Sequence, residues 1–89
     1  MNKTLELFIG SNNRTGKVER EKLETVLSKY HEGFTIQPAV GYWNGQREQS
    51  VSVIISDSFD KILETVKKLK YELKQESIAY HEIGNLEFV

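Results

Sequence analysis

The sequence predicts an α+β domain in which a four-stranded antiparallel sheet packs against two helices. Three observations predict it: an Asn-Gly dipeptide between two β-like runs, two stretches with apolar residues at helical spacing, and a single proline in the first β-like run. The resulting order is β-α-β-β-α-β. Right-handed crossovers turn that order into a ferredoxin-like sandwich with strand order 4-1-3-2 and both helices on one face. We expect one domain over residues 1–89.

The central hairpin is predicted around Asn44-Gly45, because this dipeptide tolerates the positive φ angles of a two-residue type I′ turn. Counting outward from the turn pairs Trp43 with Gln46, Tyr42 with Arg47, Pro38 with Val51, Ile36 with Val53 and Phe34 with Ile55. The large aliphatic residues of both arms then share one face. Because proline donates no ladder hydrogen bond, the first arm should be an edge strand or carry a bulge.

The first strand is predicted over Thr4–Ile9 and the first helix over Val18–His31. For this helix we expect Thr15 as the N-cap and Gly33 as the left-handed residue after its end.

The second helix is predicted to begin after a cap at Asp57 or Ser58 and to extend to about Gln75. Strand signals follow over Ser77–Ile83, and a short extended run follows over Leu86–Val89.

The composition is that of an ordinary soluble domain, with 38% hydrophobic and 28% charged residues. A formal charge of −1 supplies no field that would attract phosphate backbones, so we expect no nucleic-acid partner. The absence of cysteine excludes disulfides and cysteine-based metal sites. No apolar run approaches the length of a membrane span, so we expect a cytoplasmic protein without a membrane partner. The small size favours a homo-oligomer.

The sheet face turned away from the helices is where function is expected. The predicted register places there Glu6, Phe8, Thr35, Gln37, Ala39, Trp43, Glu48, Ser50, Ser52 and Ile54. Three interpretations stay open: a solvated face with isolated apolar residues, a self-association surface, or a small-ligand pocket.

Trp43 has two possible roles. It could fold over Pro38, Tyr42 or the end of a helix, or it could act as a recognition anchor in the manner of interface hot spots. The candidate binding residues are Phe8, Tyr42, Trp43, Arg47, Glu48 and Ile54.

Catalytic and metal-binding signals are weak, and we expect no catalytic residue, cofactor or metal. His31 is expected at a helix C-terminus, where its charge would meet the helix dipole. His81 and Glu82 are adjacent in a strand, so they face opposite sides of the sheet and would not act on one atom. The segment Gly10–Lys17 lacks P-loop spacing and is predicted to be a plain turn.

The hairpin resembles an element of short bacterial and phage-borne proteins of unassigned function. The resemblance rests on Gly41-Tyr42-Trp43-Asn44-Gly45, on Glu48 and Ser50, on the strand Val51–Ile55, and on the opening Leu7–Gly10. It implies a ferredoxin-like domain and transfers no functional residue.

The preferred hypothesis is a small non-enzymatic binding or regulatory domain that self-associates and uses the Trp43 hairpin and the helix-free sheet face. Its partner would be a protein or a small molecule. The alternative is a cofactor-independent enzyme of the dimeric α+β-barrel type, with His81, Tyr80 or Glu82 in a cavity between sheet and helices.

Overall fold

The computed structural model describes residues 2–12 and 14–84. Its elements are β1 (Asn2–Gly10), α1 (Arg20–Tyr30), β2 (Phe34–Trp43), β3 (Gln46–Ser58), α2 (Phe59–Glu72) and β4 (Ala79–Gly84). Neighbouring strands are antiparallel and follow the order β2-β3-β1-β4, which is the predicted order read from the other edge. The α+β class and the topology are therefore confirmed, while the extension expected over Leu86–Val89 lies outside the described residues.

The β2–β3 hairpin has the predicted register along its whole length, from Trp43 opposite Gln46 to Phe34 opposite Ile55. Asn44 and Gly45 have φ angles of 50° and 78°, as a type I′ turn requires. Pro38 lies in an edge strand, as predicted, and the register there is continuous. The turn and the edge position of the proline are thus confirmed together.

The hydrophobic core lies between the helices and one face of the sheet. Alternate residues of the two central strands point into it, because side chains alternate between faces along a strand. The fully buried apolar side chains include Leu5, Leu7, Ile9, Val53, Ile55, Leu23, Leu27, Ile62 and Leu69. Burying each such side chain contributes about 1.5–3 kcal/mol. We call the opposite sheet surface the open face; it carries Glu6, Phe8, Ser50, Ser52, Ile54 and His81.

The ends of α1 differ from the prediction. The helix starts at Arg20 rather than Val18, and the hydroxyl of Thr15 accepts the Lys17 N–H at 3.2 Å instead of capping the helix. At its other end the chain turns extended at His31, with φ −136°, and Gly33 is not left-handed. The physical reason is that the buried ring of His31 is held by side chains of β3 and α2, so the chain leaves the helix one residue after Tyr30.

The second helix begins as predicted but ends earlier. Ser58 caps it, and its hydroxyl accepts the Lys61 N–H at 3.3 Å. The helix stops at Glu72 rather than Gln75, because Lys74 is left-handed with φ 53° and the Gln75 N–H donates to the Lys70 carbonyl at 2.9 Å. Such a closing turn satisfies the last carbonyls of a helix.

The last strand is also shifted from its predicted start. It begins at Ala79 rather than Ser77, after Ile78 has been buried in the core.

The turn at Gly45 provides a test of the hairpin. We expect Gly45→Ala to lower the free energy of unfolding by about 1–2 kcal/mol, because a Cβ is disfavoured in the left-handed conformation. The matched control is Gly33→Ala, where the φ angle lies outside that region and no atom lies within 4 Å of an added Cβ. Chemical denaturation of the three proteins measures the difference, and equal losses in both variants would contradict the assigned turn.

Candidate functional site

The hairpin projects beyond the rest of the sheet. Pairing of β1 with β3 ends at Gly10 opposite Ser50, whereas β2 and β3 stay paired for four more residue pairs, up to the turn. Trp43 is 76% exposed and Tyr42 is 69% exposed on this projection. Of the two roles considered for Trp43, packing over its own chain is therefore wrong.

Glu48 lies at the base of the projecting hairpin. Its Oε2 accepts a hydrogen bond from the Ser11 hydroxyl at 3.4 Å, just beyond the end of β1. A Cβ added to Gly10 would lie 3.4 Å from Glu48 Oε1, and one added to Gly41 would lie 3.5 Å from Glu48 Cγ. The half-buried Glu48 side chain thus lies against the backbone at both glycines.

A second group of residues, the open-face cluster, consists of the polar side chains of Glu6, Ser52 and His81 and the ring of Phe8. Glu6 Oε1 lies 2.8 Å from His81 Nε2, and Glu6 Oε2 accepts the Ser52 hydroxyl at 2.5 Å. The rings of Phe8 and His81 stack, with centroids 5.7 Å apart and planes 10° apart. Three adjacent strands contribute to the cluster, and both oxygens of its carboxylate have partners.

The surroundings of Glu6 favour its charged form. The hydrogen bond from Ser52, followed by the one from His81, lowers the pKa of Glu6 below its ordinary value, and partial desolvation opposes this only in part. The folded protein therefore gains stability from Glu6 at pH values above the unfolded-state pKa. That contribution is lost as the pH falls through the lower folded-state pKa.

The six binding residues expected from the sequence do not form one surface. Phe8, Trp43, Glu48 and Ile54 point to the open side of the sheet, whereas Tyr42 and Arg47, which face each other across the hairpin, point to the other side. Trp43 and Glu48 belong to the hairpin end, and Phe8 belongs to the open-face cluster. We therefore treat the hairpin end and the open face as two surfaces.

His81, Tyr80 and Glu82 do not line a cavity between sheet and helices. His81 lies on the open face, while Tyr80 packs its ring against Phe59 of α2 with centroids 6.3 Å apart. Glu82 accepts a hydrogen bond from Lys3 at 3.4 Å. The expectation that His81 and Glu82 face opposite sides is confirmed, and the space beneath the sheet is filled by buried apolar side chains.

Sequence reasoning missed the contact between Glu6 and His81. It placed Glu6 on the open face, but the register between β1 and β4 was needed to bring His81 beside it. Residues 11–78 lie between the end of β1 and the start of β4, so no tight turn specifies how these two strands pair.

A third cluster contains His31, Asp57 and Thr65, the residue types of a hydrolase triad. Thr65 is only 2% exposed and His31 only 6%, so substrate cannot reach the hydroxyl. His31 lies at the C-terminal end of α1, as expected, and both of its ring nitrogens have hydrogen-bond partners. This cluster is therefore structural rather than catalytic.

Other site types find little support in residues 2–12 and 14–84. They contain no group of three or more His, Asp or Glu side chains arranged to hold a metal ion. Neither α1 nor α2 is long and apolar enough to cross a membrane. An open groove runs between the outer faces of these helices and is lined by side chains of both charges, among them Lys29, Glu64 and Lys68.

Comparison with known proteins places the chain by its fold. No family model matches it, and no curated protein matches it by sequence. A DUF3240 family protein from Shewanella baltica OS155 superposes with a TM-score of 0.69 at 12% identity, over 98% of this chain and 93% of the other. At such identity the likeness shows a shared fold.

Two further structures with this fold carry names that describe a ligand or activity. The nitrogen regulatory PII-like protein CPII from Thiomonas intermedia K12, bound to ADP, AMP and bicarbonate, has a TM-score of 0.65 at 12% identity, over 100% of this chain and 98% of the other. A phage SAM lyase in its apo state has a TM-score of 0.51 at 23% identity, over 96% of this chain and 83% of the other. The fold thus occurs in regulatory proteins and in an enzyme.

Removal of one hydroxyl tests the open-face cluster. We expect Ser52→Ala to raise the pKa of Glu6 toward its ordinary value, because the larger of its two stabilising hydrogen bonds is lost. Ser50→Ala is the matched control, since that hydroxyl donates to the Ile9 carbonyl at 3.0 Å instead. Carboxyl-detected NMR titration measures the shift, and an unchanged Glu6 midpoint in Ser52→Ala would contradict the cluster as described.

Proposed function

We propose that this protein is a small binding and regulatory domain that self-associates through its open face and binds a small ligand with its projecting hairpin. The observation that carries the proposal is the exposure of Trp43, at 76%, on a fully paired hairpin that extends past β1. A rigid aromatic side chain offers a large contact area at a low cost in conformational entropy. The hairpin is thus preorganised for contact with a ligand or partner.

Self-association is supported by the way in which the open face satisfies its own polar groups. Glu6 already has partners for both oxygens, and the Ser50 hydroxyl is bonded to a main-chain carbonyl. The main cost of burying a polar surface is the loss of hydrogen bonds to water. Because these groups already have partners within the chain, covering the open face would leave few of them unsatisfied. Phe8, which is 41% exposed, would gain burial in the process.

The ligand class that we propose is an adenosine-bearing small molecule. CPII is bound to ADP and AMP, and the substrate in the name of the phage lyase, S-adenosylmethionine, also contains adenosine. Stacking of a nucleobase on an aromatic side chain contributes about 1–3 kcal/mol. Trp43 provides such a surface on this chain, and the half-buried Glu48 carboxylate beside the hairpin could accept hydrogen bonds or attract a cation.

A second candidate function is enzymatic conversion of S-adenosylmethionine. Two observations favour it: the 23% identity to the phage SAM lyase over 96% of this chain, and the placement of Glu48 between Gly10 and Gly41. A carboxylate can position the sulfonium cation of this compound and can act as a general base. In this function Glu48 would contact substrate and Trp43 would hold its adenine.

Ligand binding can be followed with the protein's own fluorescence, because Trp43 is its single tryptophan. We expect ADP, AMP or S-adenosylmethionine to quench its emission in a saturable manner, since stacking changes the surroundings of the indole. Calorimetry should show the same binding, with a loss of about tenfold or more in Trp43→Ala, from the stacking energy. Tyr71→Ala, which removes an 82% exposed ring on α2, is the matched control.

Absence of saturable binding of all three compounds would overturn the proposed ligand class. Sedimentation of the protein at high micromolar concentration tests self-association separately. A protein that stays monomeric at every concentration would contradict self-association through the open face. The proposal that the hairpin binds a ligand would then be decided by the binding measurements.

Incubation with S-adenosylmethionine distinguishes the two functions. If the protein is an enzyme, chromatography should show consumption of the compound, and Glu48→Gln should lower the rate by about a hundredfold or more, which is the size of a general-base contribution. Glu21→Gln, on the exposed surface of α1, should leave the rate unchanged. Saturable binding without consumption would support the binding domain and exclude this enzymatic function.

A further inference from the structure

The buried cluster at the end of α1 joins three elements of the fold. His31 follows the last residue of α1, and its side chain is only 1% exposed. Its Nδ1 lies 2.8 Å from Asp57 Oδ2 in β3, and its Nε2 lies 2.7 Å from Thr65 Oγ1 in α2. One imidazole thus connects the end of the first helix to the central sheet and to the second helix.

The charge on Asp57 determines which ring nitrogen must carry a proton. Burial alone would raise the pKa of Asp57, but hydrogen bonds from His31, Ser58 and Lys61, together with the Lys61 charge, outweigh it and lower that pKa. The Ser58 N–H donates to Oδ1 at 2.8 Å, and Lys61 Nζ lies 3.3 Å from Oδ2. Because an ionised carboxylate only accepts hydrogen bonds, Nδ1 must be the protonated donor.

The Thr65 hydroxyl can match either state of the second ring nitrogen. It has one proton to donate and lone pairs that accept, and it lies 3.1 Å from the Lys61 carbonyl oxygen as well as beside Nε2. When Nε2 is protonated, the hydroxyl accepts its proton and donates to Lys61. When Nε2 is unprotonated, the hydroxyl rotates and donates to it. The Lys61 carbonyl still accepts the backbone N–H four residues later, as in any α-helix.

We propose that Asp57, His31 and Thr65 form a latch that stays closed in both charge states of the imidazole, with the Thr65 hydroxyl turning to match the ring. The charged group that contacts the ring is Asp57 from β3, and Lys61 from α2 in turn contacts the Asp57 carboxylate. From α1, the Leu27 carbonyl accepts the His31 backbone N–H at 2.9 Å. The latch fixes where the chain leaves α1 and enters β2.

This inference does not rest on the proposed function. Asp57 lies near the end of β3, whereas the hairpin turn precedes the start of that strand, so the latch and the projecting hairpin are at opposite ends of the sheet. Failure of ligand binding would leave the latch unaffected, and an open latch would not alter the exposure of Trp43.

NMR of the imidazole nitrogens in the intact protein tests the proton positions directly. We expect the His31 Nδ1 to keep its proton and its hydrogen bond to Asp57 throughout a pH titration, so that the ring, when neutral, is the Nδ1–H tautomer. Detection of the Nε2–H tautomer in the neutral ring would overturn the proposal, because Nδ1 could then no longer donate a hydrogen bond to Asp57.

Variants of Thr65 test the turning hydroxyl. We expect Thr65→Val, which keeps the shape of the side chain, to lower the folding equilibrium constant by about tenfold or more both where the nitrogen spectra show a charged ring and where they show a neutral ring, since one ring nitrogen is left unsatisfied in each charge state. Thr65→Ser retains the hydroxyl and should keep most of the stability. Thr25→Val, at an exposed position of α1, is the matched control.

A loss in Thr65→Val in only one charge state of the ring would overturn the proposal, because the hydroxyl would then serve that state alone, and so would a ring whose charge never changes in the folded protein. A Thr65→Val protein as stable as the Thr25→Val control would overturn it as well. Losses in both charge states of the ring, restored by Thr65→Ser, would support it.

Discussion

The register of the β2–β3 hairpin is the constraint on which the rest of the structure depends. Side chains alternate between the two faces of a strand, so a shift by one residue would move every apolar side chain of both arms away from the helices. The left-handed pair Asn44 and Gly45 holds that register, and β3 pairs on its other side with β1. The turn therefore aligns the two arms of the hairpin, and the pairing of β3 with β1 continues the same alternation of faces across the sheet.

The same alternation divides the sheet into a packed face, which meets the helices, and the open face. On the packed side, apolar residues of the central strands meet the two helices and exclude water. On the other side, Glu6, Ser52 and His81 satisfy one another across three strands, so this surface can be either exposed or covered without leaving the carboxylate unpartnered. The lowered pKa of Glu6 reflects its hydrogen bonds to Ser52 and His81, because each of them favours the charged form of the carboxylate.

The two ends of the sheet are stabilised in different ways. At one end the hairpin extends beyond the core and is held mainly by main-chain pairing, which leaves Trp43 and Tyr42 exposed. At the other end a buried imidazole joins both helices and β3 through side-chain hydrogen bonds. Recognition is thus proposed at the end with few buried side chains, while the opposite end keeps the helices in place.

The sequence by itself determined the order of elements, the hairpin register and which residues of β1 and β3 face away from the helices, because these depend on local periodicity and on one turn. Only the tertiary structure decided the contacts between residues distant in the chain. Glu6 meets His81 through strand pairing that no short turn specifies, and His31 ends α1 early because Asp57 and Thr65 hold its ring. Whether Trp43 would be covered also depended on the packing of other elements, since a periodic pattern fixes the direction of a side chain but not what lies beyond it.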